Sequence, residues 1–161
     1  MNKKNNKKNQ GFSIIEVMVC TTIILVTFVS IYTLINHSMV FHDLAYSKLT
    51  ASYLAQEGIE IVRNIRDNNY IQNRNWNTGL NSGNYQAQYN SLNLDNYTNN
   101  NLKIDSSGLY NYNNGEITRY NRMISIDKIS NNEIRVTSIV NWKNRGIDFE
   151  IQVEDHLYNW F

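Results

Sequence analysis

Residues 11–35 read GFSIIEVMVCTTIILVTFVSIYTLI. From Phe12 to Ile35 the run holds a single charge, Glu16, and neither proline nor glycine. A helix over this stretch is about 36 Å long at 1.5 Å per residue, enough to cross a hydrocarbon core of about 30 Å. An ionised carboxylate inside such a span costs roughly 2.5–3.5 kcal/mol on insertion scales, so a lone one calls for a partner or a task. Lys3, Lys4, Lys7 and Lys8 precede the run and nothing basic follows it before Lys48, which places the N-terminus in the cytoplasm and the body outside. A secretory signal has a shorter apolar core and a small-residue cut site. The residues after Ile35, NHSMVFHD, offer no such site. Hydropathy alone therefore reads an uncleaved membrane anchor. Cys20, inside the run, reads as a small apolar filler.

The chain's 161 residues leave room for this helix and one globular domain of roughly 100 residues. The formal net charge of +1 includes the four leader lysines, and without those four charges the rest stands at −3. That balance argues against a nucleic-acid-binding body driven by bulk electrostatics. With one cysteine, no intramolecular disulfide staples the body, whose stability must come from its core. The abundance of asparagine and the absence of proline read as compositional bias.

Beyond the apolar run, HDLAYSKLTASYLAQEGIEIVRNIRDNNY (42–70) continues a helical pattern. Leu44, Ala51, Gly58 and Ile65 recur every seven residues, and Leu54 with Ile61 and Ala55 with Val62 widen them into one apolar stripe. Lys48, Gln56, Glu57, Glu60 and Arg63 mark the solvated face, where Glu60–Arg63 and Arg63–Asp67 have the spacing of modest surface pairs. One nearly continuous helix from Phe12 to Asp67 is expected, apolar all round in its first half and amphipathic in its second. A loop rich in asparagine and glycine follows, pinned to the body by Trp76 and Leu80. The remaining chain alternates: Tyr85, Ala87 and Tyr89; Leu102 and Ile104; Tyr110 and Tyr112; a run beginning at Met123 with Ile124 and Ile126; Ile134, Val136 and Val140; then Ile147, Phe149, Ile151 and Val153. Asp148, Glu150, Gln152 and Glu154 fall on the opposite face of the last strand. Turns at 130–132 and 143–146 make the last three strands a meander. The aromatic tail DHLYNWF (155–161) is expected to tuck under the sheet or meet a neighbouring subunit.

The fold class is thus α+β, a long N-terminal helix packed on a small antiparallel sheet of four to six strands. The expected organisation is a leader at 1–11, a transmembrane or fibre-core helix at 12–36, an amphipathic half at 37–67 and a β-rich head at 68–161.

An enzyme should show a constellation, and this chain has none. His37 and His42 are five apart where one-face metal binding prefers i and i+4, and there is no phosphate loop, serine elbow or CxxC. The stretch DNNYIQNRNWNTG carries one carboxylate where a calcium loop wants several. No catalytic residue, metal or cofactor is therefore expected. Arg119, Arg122, Arg135, Lys143 and Arg145, beside Tyr120 and Trp142, are a candidate DNA or surface contact; the competing reading is ordinary charges that discourage strand pairing at a sheet edge. Asn36-His37-Ser38 and Asn96-Tyr97-Thr98 match the glycosylation sequon at a frequency chance explains in so asparagine-rich a chain.

The junction carries the most specific signal: a lysine-rich leader, Gly11, Phe12, a small hydroxyl residue, Glu16 at the fifth position from Phe12, then the apolar helix. This GFSIIE arrangement resembles the processing site of the type IV prepilins, the subunits of type IV pili and of type II secretion pseudopili. The resemblance implies that a membrane peptidase on the cytoplasmic face cuts after Gly11 and that the same enzyme methylates the new Phe12 amine. It implies that Glu16 of one subunit pairs with that amine on a neighbour, supplying the partner the buried charge requires. Implied partners are other pilin subunits in a homo- or hetero-filament, the prepilin peptidase/methylase, the pilus assembly platform and the membrane, with DNA added by analogy to competence pili. Implied locations are the cell membrane before assembly and a surface filament, or fimbrium, after it. Pilins share an extended N-terminal helix on an antiparallel sheet, and AQEGIEIVRNIRD (55–67) is similar to the equivalent stretch of minor pilins. The archetypal major pilin has a disulfide-closed loop that this chain lacks, which favours a minor pilin or pseudopilin. The alternative is an uncleaved, signal-anchored binding domain on the cell surface.

Overall fold

The structure, a computed structural model, describes residues 11–160. Lys3, Lys4, Lys7, Lys8 and Phe161, with what the sequence implies for them, lie outside the described residues. The chain divides into two compact units, Met1–Asp43 and Leu44–Phe161, with one helix, α1 (Ile14–Ile71), running through the boundary.

In the first unit every residue from Gly11 to Met39 is exposed. Its helix is long and apolar enough to cross a membrane, with an 18-residue window of mean hydropathy 2.4. Five serine and threonine hydroxyls within it do not break the helix because they are satisfied on it. Thr21, Thr22, Thr27, Ser30 and Thr33 donate to carbonyls three or four residues earlier at 2.7–3.0 Å, and the Asn36 amide donates to the Tyr32 carbonyl at 3.0 Å.

In the second unit α1 buries the expected stripe: Ala51, Leu54, Ala55, Gly58, Ile61, Val62 and Ile65, with Ile59 beside it. The helix runs four residues past Asp67. It ends where Asn73 takes a left-handed conformation (φ 54°), its N–H donating to the Tyr70 carbonyl and the Arg74 N–H to the Asn69 carbonyl. Those two bonds form a Schellman cap with asparagine in the position glycine usually fills.

The sheet is antiparallel throughout and built on a 15-residue strand, β5 (Glu116–Ser130), introduced here with its six neighbours in chain order: β1 (Gly83–Gln86), β2 (Asp95–Asn96), β3 (Asn101–Ile104), β4 (Tyr110–Asn111), β6 (Glu133–Asn144) and β7 (Ile147–Tyr158). One edge of β5 carries β6, from Tyr120↔Trp142 to Ser130↔Glu133, and β6 in turn carries β7 without a register break. The other edge of β5 is shared end to end. β1 lies against Ile124–Ile126 and β3 against the stretch from Glu116 to Asn121. β2 and β4, two residues each, extend β1 and β3 and take the count to seven, above the four to six expected. The β5–β6–β7 meander is as expected, and its second turn has both central residues, Arg145 (φ 51°) and Gly146 (φ 83°), in the left-handed region that a two-residue hairpin requires.

β5 starts seven residues before the run that begins at Met123. Its inner row is Tyr120, Arg122, Ile124 and Ile126, all buried, and Met123 faces away from the helix. An arginine in the inner row hides the period-2 pattern from a reading by hydropathy. β7 presents Asp148, Glu150, Gln152 and Glu154 to solvent as expected, while Ile147, at the turn, is exposed instead of closing the core.

Two clusters make the core. In one, the small Ala51 and Ala55 with Leu54 receive the bulky Tyr120, Trp142, Leu102 and Val140. In the other, Ile59, Ile61, Val62 and Ile65 meet Ile124, Ile126, Ile134, Val136 and Leu157, with Leu80 buried and Trp76 packed alongside. Each end fills its interlayer space by pairing small with large or branched with branched. Between the clusters lies a polar layer. Arg122, wholly buried, donates from Nη1 to the Leu54 carbonyl (2.9 Å) and from Nη2 to the Ala87 carbonyl (2.5 Å), and its Nη1 is 3.4 Å from Glu57 Oε2. Beside it Gly58 passes so close to Ser138 that a Cβ at 58 would overlap the serine hydroxyl and stand 3.1 Å from its Cβ.

Candidate processing and assembly site

Gly11, Phe12 and Ser13 precede the helix in irregular, exposed backbone, and nothing lies within 4 Å of the position a Gly11 Cβ would take. The Gly11–Phe12 peptide is therefore outside the hydrogen-bonded ladder and can be reached without unwinding it. Helical bonding begins with the Val17 N–H donating to the Ser13 carbonyl at 3.2 Å. Ser13 accordingly occupies the N-cap and Glu16 the third helical position, in the first turn. The spacing Ser13-x-x-Glu16 is that of a capping box, although among the described residues neither side chain makes the reciprocal bond to the backbone of the other. The first turn is also where the partial positive charge of the helix favours an anion. Among the described residues the Glu16 carboxylate has neither an ion pair nor a side-chain hydrogen bond. Phe12 is 79 % exposed, and Ile14, Ile15 and Met18 around Glu16 are exposed as well, so one carboxylate stands in an otherwise apolar, uncovered surface. Cys20 is a free, exposed thiol on the same segment.

The second unit disperses the basic residues grouped by sequence. Arg122 lies in the core, with no surface to offer a phosphate. Arg135 is on the outer face of β6, 2.9 Å from Asp127 and 4.0 Å from Glu154, and Lys143 is 3.5 Å from Asp148. Arg119 reaches the Ser47 hydroxyl on α1 at 3.3 Å, and Arg145 sits in the β6–β7 turn. Carboxylates thus stand beside Arg135 and Lys143.

The same outer face holds a histidine between two acids. His156 Nδ1 is 2.7 Å from Glu133 Oε1, its Nε2 is 3.5 Å from Glu154 Oε1, and the Tyr158 hydroxyl donates to the same Glu133 oxygen at 3.2 Å. The hydrogen bond to Glu133 raises the His156 pKa above its ordinary value. Among the described residues no group of three or more His, Cys, Asp or Glu side chains could hold a metal.

Residues 6–32 match the family model described as the prokaryotic N-terminal methylation motif. The N-terminus carries the type IV prepilin signature. Gly11, Phe12 and Glu16 all lie within the matched stretch, the first two just before α1 and Glu16 in its exposed first turn. Comparison with curated proteins and with solved structures gives no match for the chain. The prepilin signature therefore speaks for the N-terminus, and the pilin-like arrangement of the remainder, a long helix on an antiparallel sheet, rests on the geometry above.

Proposed function

We propose that this chain is a structural subunit of a type IV pilus or related filament, of the minor-pilin or pseudopilin kind, cut after Gly11 and methylated on Phe12. Residues 1–11 are the cytoplasmic leader, 12–36 the membrane and fibre-core helix, 37–67 the amphipathic half and 68–161 the head. The observation that carries the reading is the conjunction at the start of α1: a peptide bond free of the helix, followed by an exposed apolar helix whose one charge has no partner among the described residues. Cleavage creates a cationic amine on Phe12. When neighbouring helices bundle, that amine and Glu16 of the next subunit neutralise each other, and losing one member of such a buried pair costs about 3–5 kcal/mol. The pair then sets the axial register between subunits, and the prepilin peptidase, the assembly platform and other pilin subunits are the partners this requires.

The test is N-terminal sequencing and intact mass of the chain recovered from sheared cell-surface material. A mature chain beginning at methylated Phe12 supports the proposal; one beginning at Met1 and confined to membranes replaces it with the anchored binding domain. Glu16→Gln separates pairing from capping, because glutamine serves equally at the third position of a capping box but carries no charge. Processing should persist and filament incorporation should be lost. Normal incorporation of Glu16→Gln would remove the charge of Glu16 from the account of assembly.

A further inference from the structure

The last turns of α1 and the loops around residues 74–79 and 92–93 enclose a cleft of about 370 Å³, within the range of small-ligand sites. Its walls are amides and one cation. Asn69 is buried, and its Nδ2 is held by two carbonyls, Trp76 at 3.2 Å and Thr78 at 2.8 Å. Those two bonds fix the orientation of the amide, so Oδ1 is a rigid acceptor, and among the described residues nothing donates to it. Gln72, Asn93 and the Arg74 guanidinium also line the cleft and have no side-chain partner among the described residues. Ile65 and Leu92 supply an apolar patch. The chain has 28 asparagines, so amides in a cleft mean little by themselves. What sets this one apart is the fixed, buried Asn69 beside an unpaired guanidinium.

We infer that this cleft binds a carboxylated sugar, such as a uronic or sialic acid unit of a glycan. Asn69 presents a fixed acceptor, and Gln72 and Asn93 each a donor and an acceptor about one hydroxyl spacing apart, which suits vicinal hydroxyls that both donate and accept. Arg74 matches a carboxylate by its planar pair of donors. The apolar patch takes the C–H face of a ring. A phosphate fits less well, because the cleft lies at the C-terminal end of α1, whose partial negative charge disfavours a concentrated dianion. The inference goes beyond the proposed assembly role and stands whether or not Phe12 becomes the N-terminus.

The experiment is saturation-transfer NMR on the full chain in micelles of a sugar-free detergent, with glucuronate, N-acetylneuraminate, glucose and acetate as probes. Saturable binding of at least one of the two acids is expected, with glucose weaker by roughly tenfold or more, the weight of a charge-assisted hydrogen bond, and no effect of acetate. Arg74→Ala should reduce the acid to the level of glucose, Asn93→Ala should weaken acid and glucose together, and Asn131→Ala, on the β5–β6 turn, should change neither. The tryptophan fluorescence spectrum checks that each variant is folded. Absence of saturable binding by either acid, glucose binding as tightly as the acids, competition by acetate, or a folded Arg74→Ala chain that retains the acid would each overturn the inference.

Discussion

Gly58 sits mid-helix, where glycine is about 1 kcal/mol worse than alanine, so propensity alone says that Gly58→Ala stabilises. The packing says otherwise. The new Cβ would overlap Ser138 Oγ and stand 3.1 Å from Ser138 Cβ and 3.3 Å from Arg122 Cδ. The severe overlap is with the buried serine hydroxyl, while the contacts to the Ser138 Cβ and Arg122 Cδ are only tight, and overpacking of this kind costs about 1–3 kcal/mol. The net expectation is a loss of about 1 kcal/mol, or about 4 °C in melting temperature for a domain on the order of 100 residues. Ser138 adds a second arm. Its hydroxyl is buried without a hydrogen-bond partner, so Ser138→Ala removes an unmet polar group and should be neutral or stabilising. The double variant should recover most of the Gly58→Ala loss, giving a coupling of about 1 kcal/mol between residues in contact across the layers. Urea and thermal unfolding of the full chain in micelles, followed by tryptophan fluorescence, measure all four corners of this cycle. A stabilised Gly58→Ala, or strictly additive effects, would mean that the helix does not approach the sheet as closely as described.

Arg122→Ala should be among the most damaging single changes in the second unit, losing about 3 kcal/mol or more, because it empties a wholly buried site and strands the Glu57 carboxylate and the Ala87 carbonyl; a shift in urea midpoint corresponding to less than about 1 kcal/mol would show the polar layer to be dispensable. His156→Gln tests the outer face. The folded pKa lies above the ordinary value, so the protonated histidine contributes stability that is fully present below about pH 6.5 and is lost as pH rises through the raised pKa. The melting temperature of the wild-type chain should therefore exceed that of His156→Gln at pH 5.5 and converge with it at pH 9, and a gap unchanged across that range would rule the Glu133 contact out as its source.

The helix was legible over most of its length because two strong signals ran along it, hydropathy over 12–35 and a heptad stripe over 44–65. Its last turn was not, since Asn68, Asn69 and Tyr70 read as loop by composition, and the cap that decides the matter lies in the φ of Asn73. The meander was legible from alternation and its turns. The start of β5 is not legible because Arg122 occupies an inward position, and the partners that make a buried guanidinium tolerable there, the Leu54 and Ala87 carbonyls and the Glu57 carboxylate, are distant in sequence. The same residue explains why the basic patch does not assemble: a list of arginines carries no information about which face each occupies. At the N-terminus the spacing of Gly11, Phe12 and Glu16 was legible in full.

The hydroxyls of the apolar segment have a consequence for its mobility between surroundings. With Thr21, Thr22, Thr27, Ser30 and Thr33 each donating back to the helix, these side chains keep the same hydrogen-bond inventory whether they face acyl chains or another helix. Exchange between the two then changes dispersion contacts and little else. Over those residues the segment is indifferent to its solvent. Discrimination between one resting place and another falls to the one charged group among the described residues of the segment, the carboxylate in the first turn.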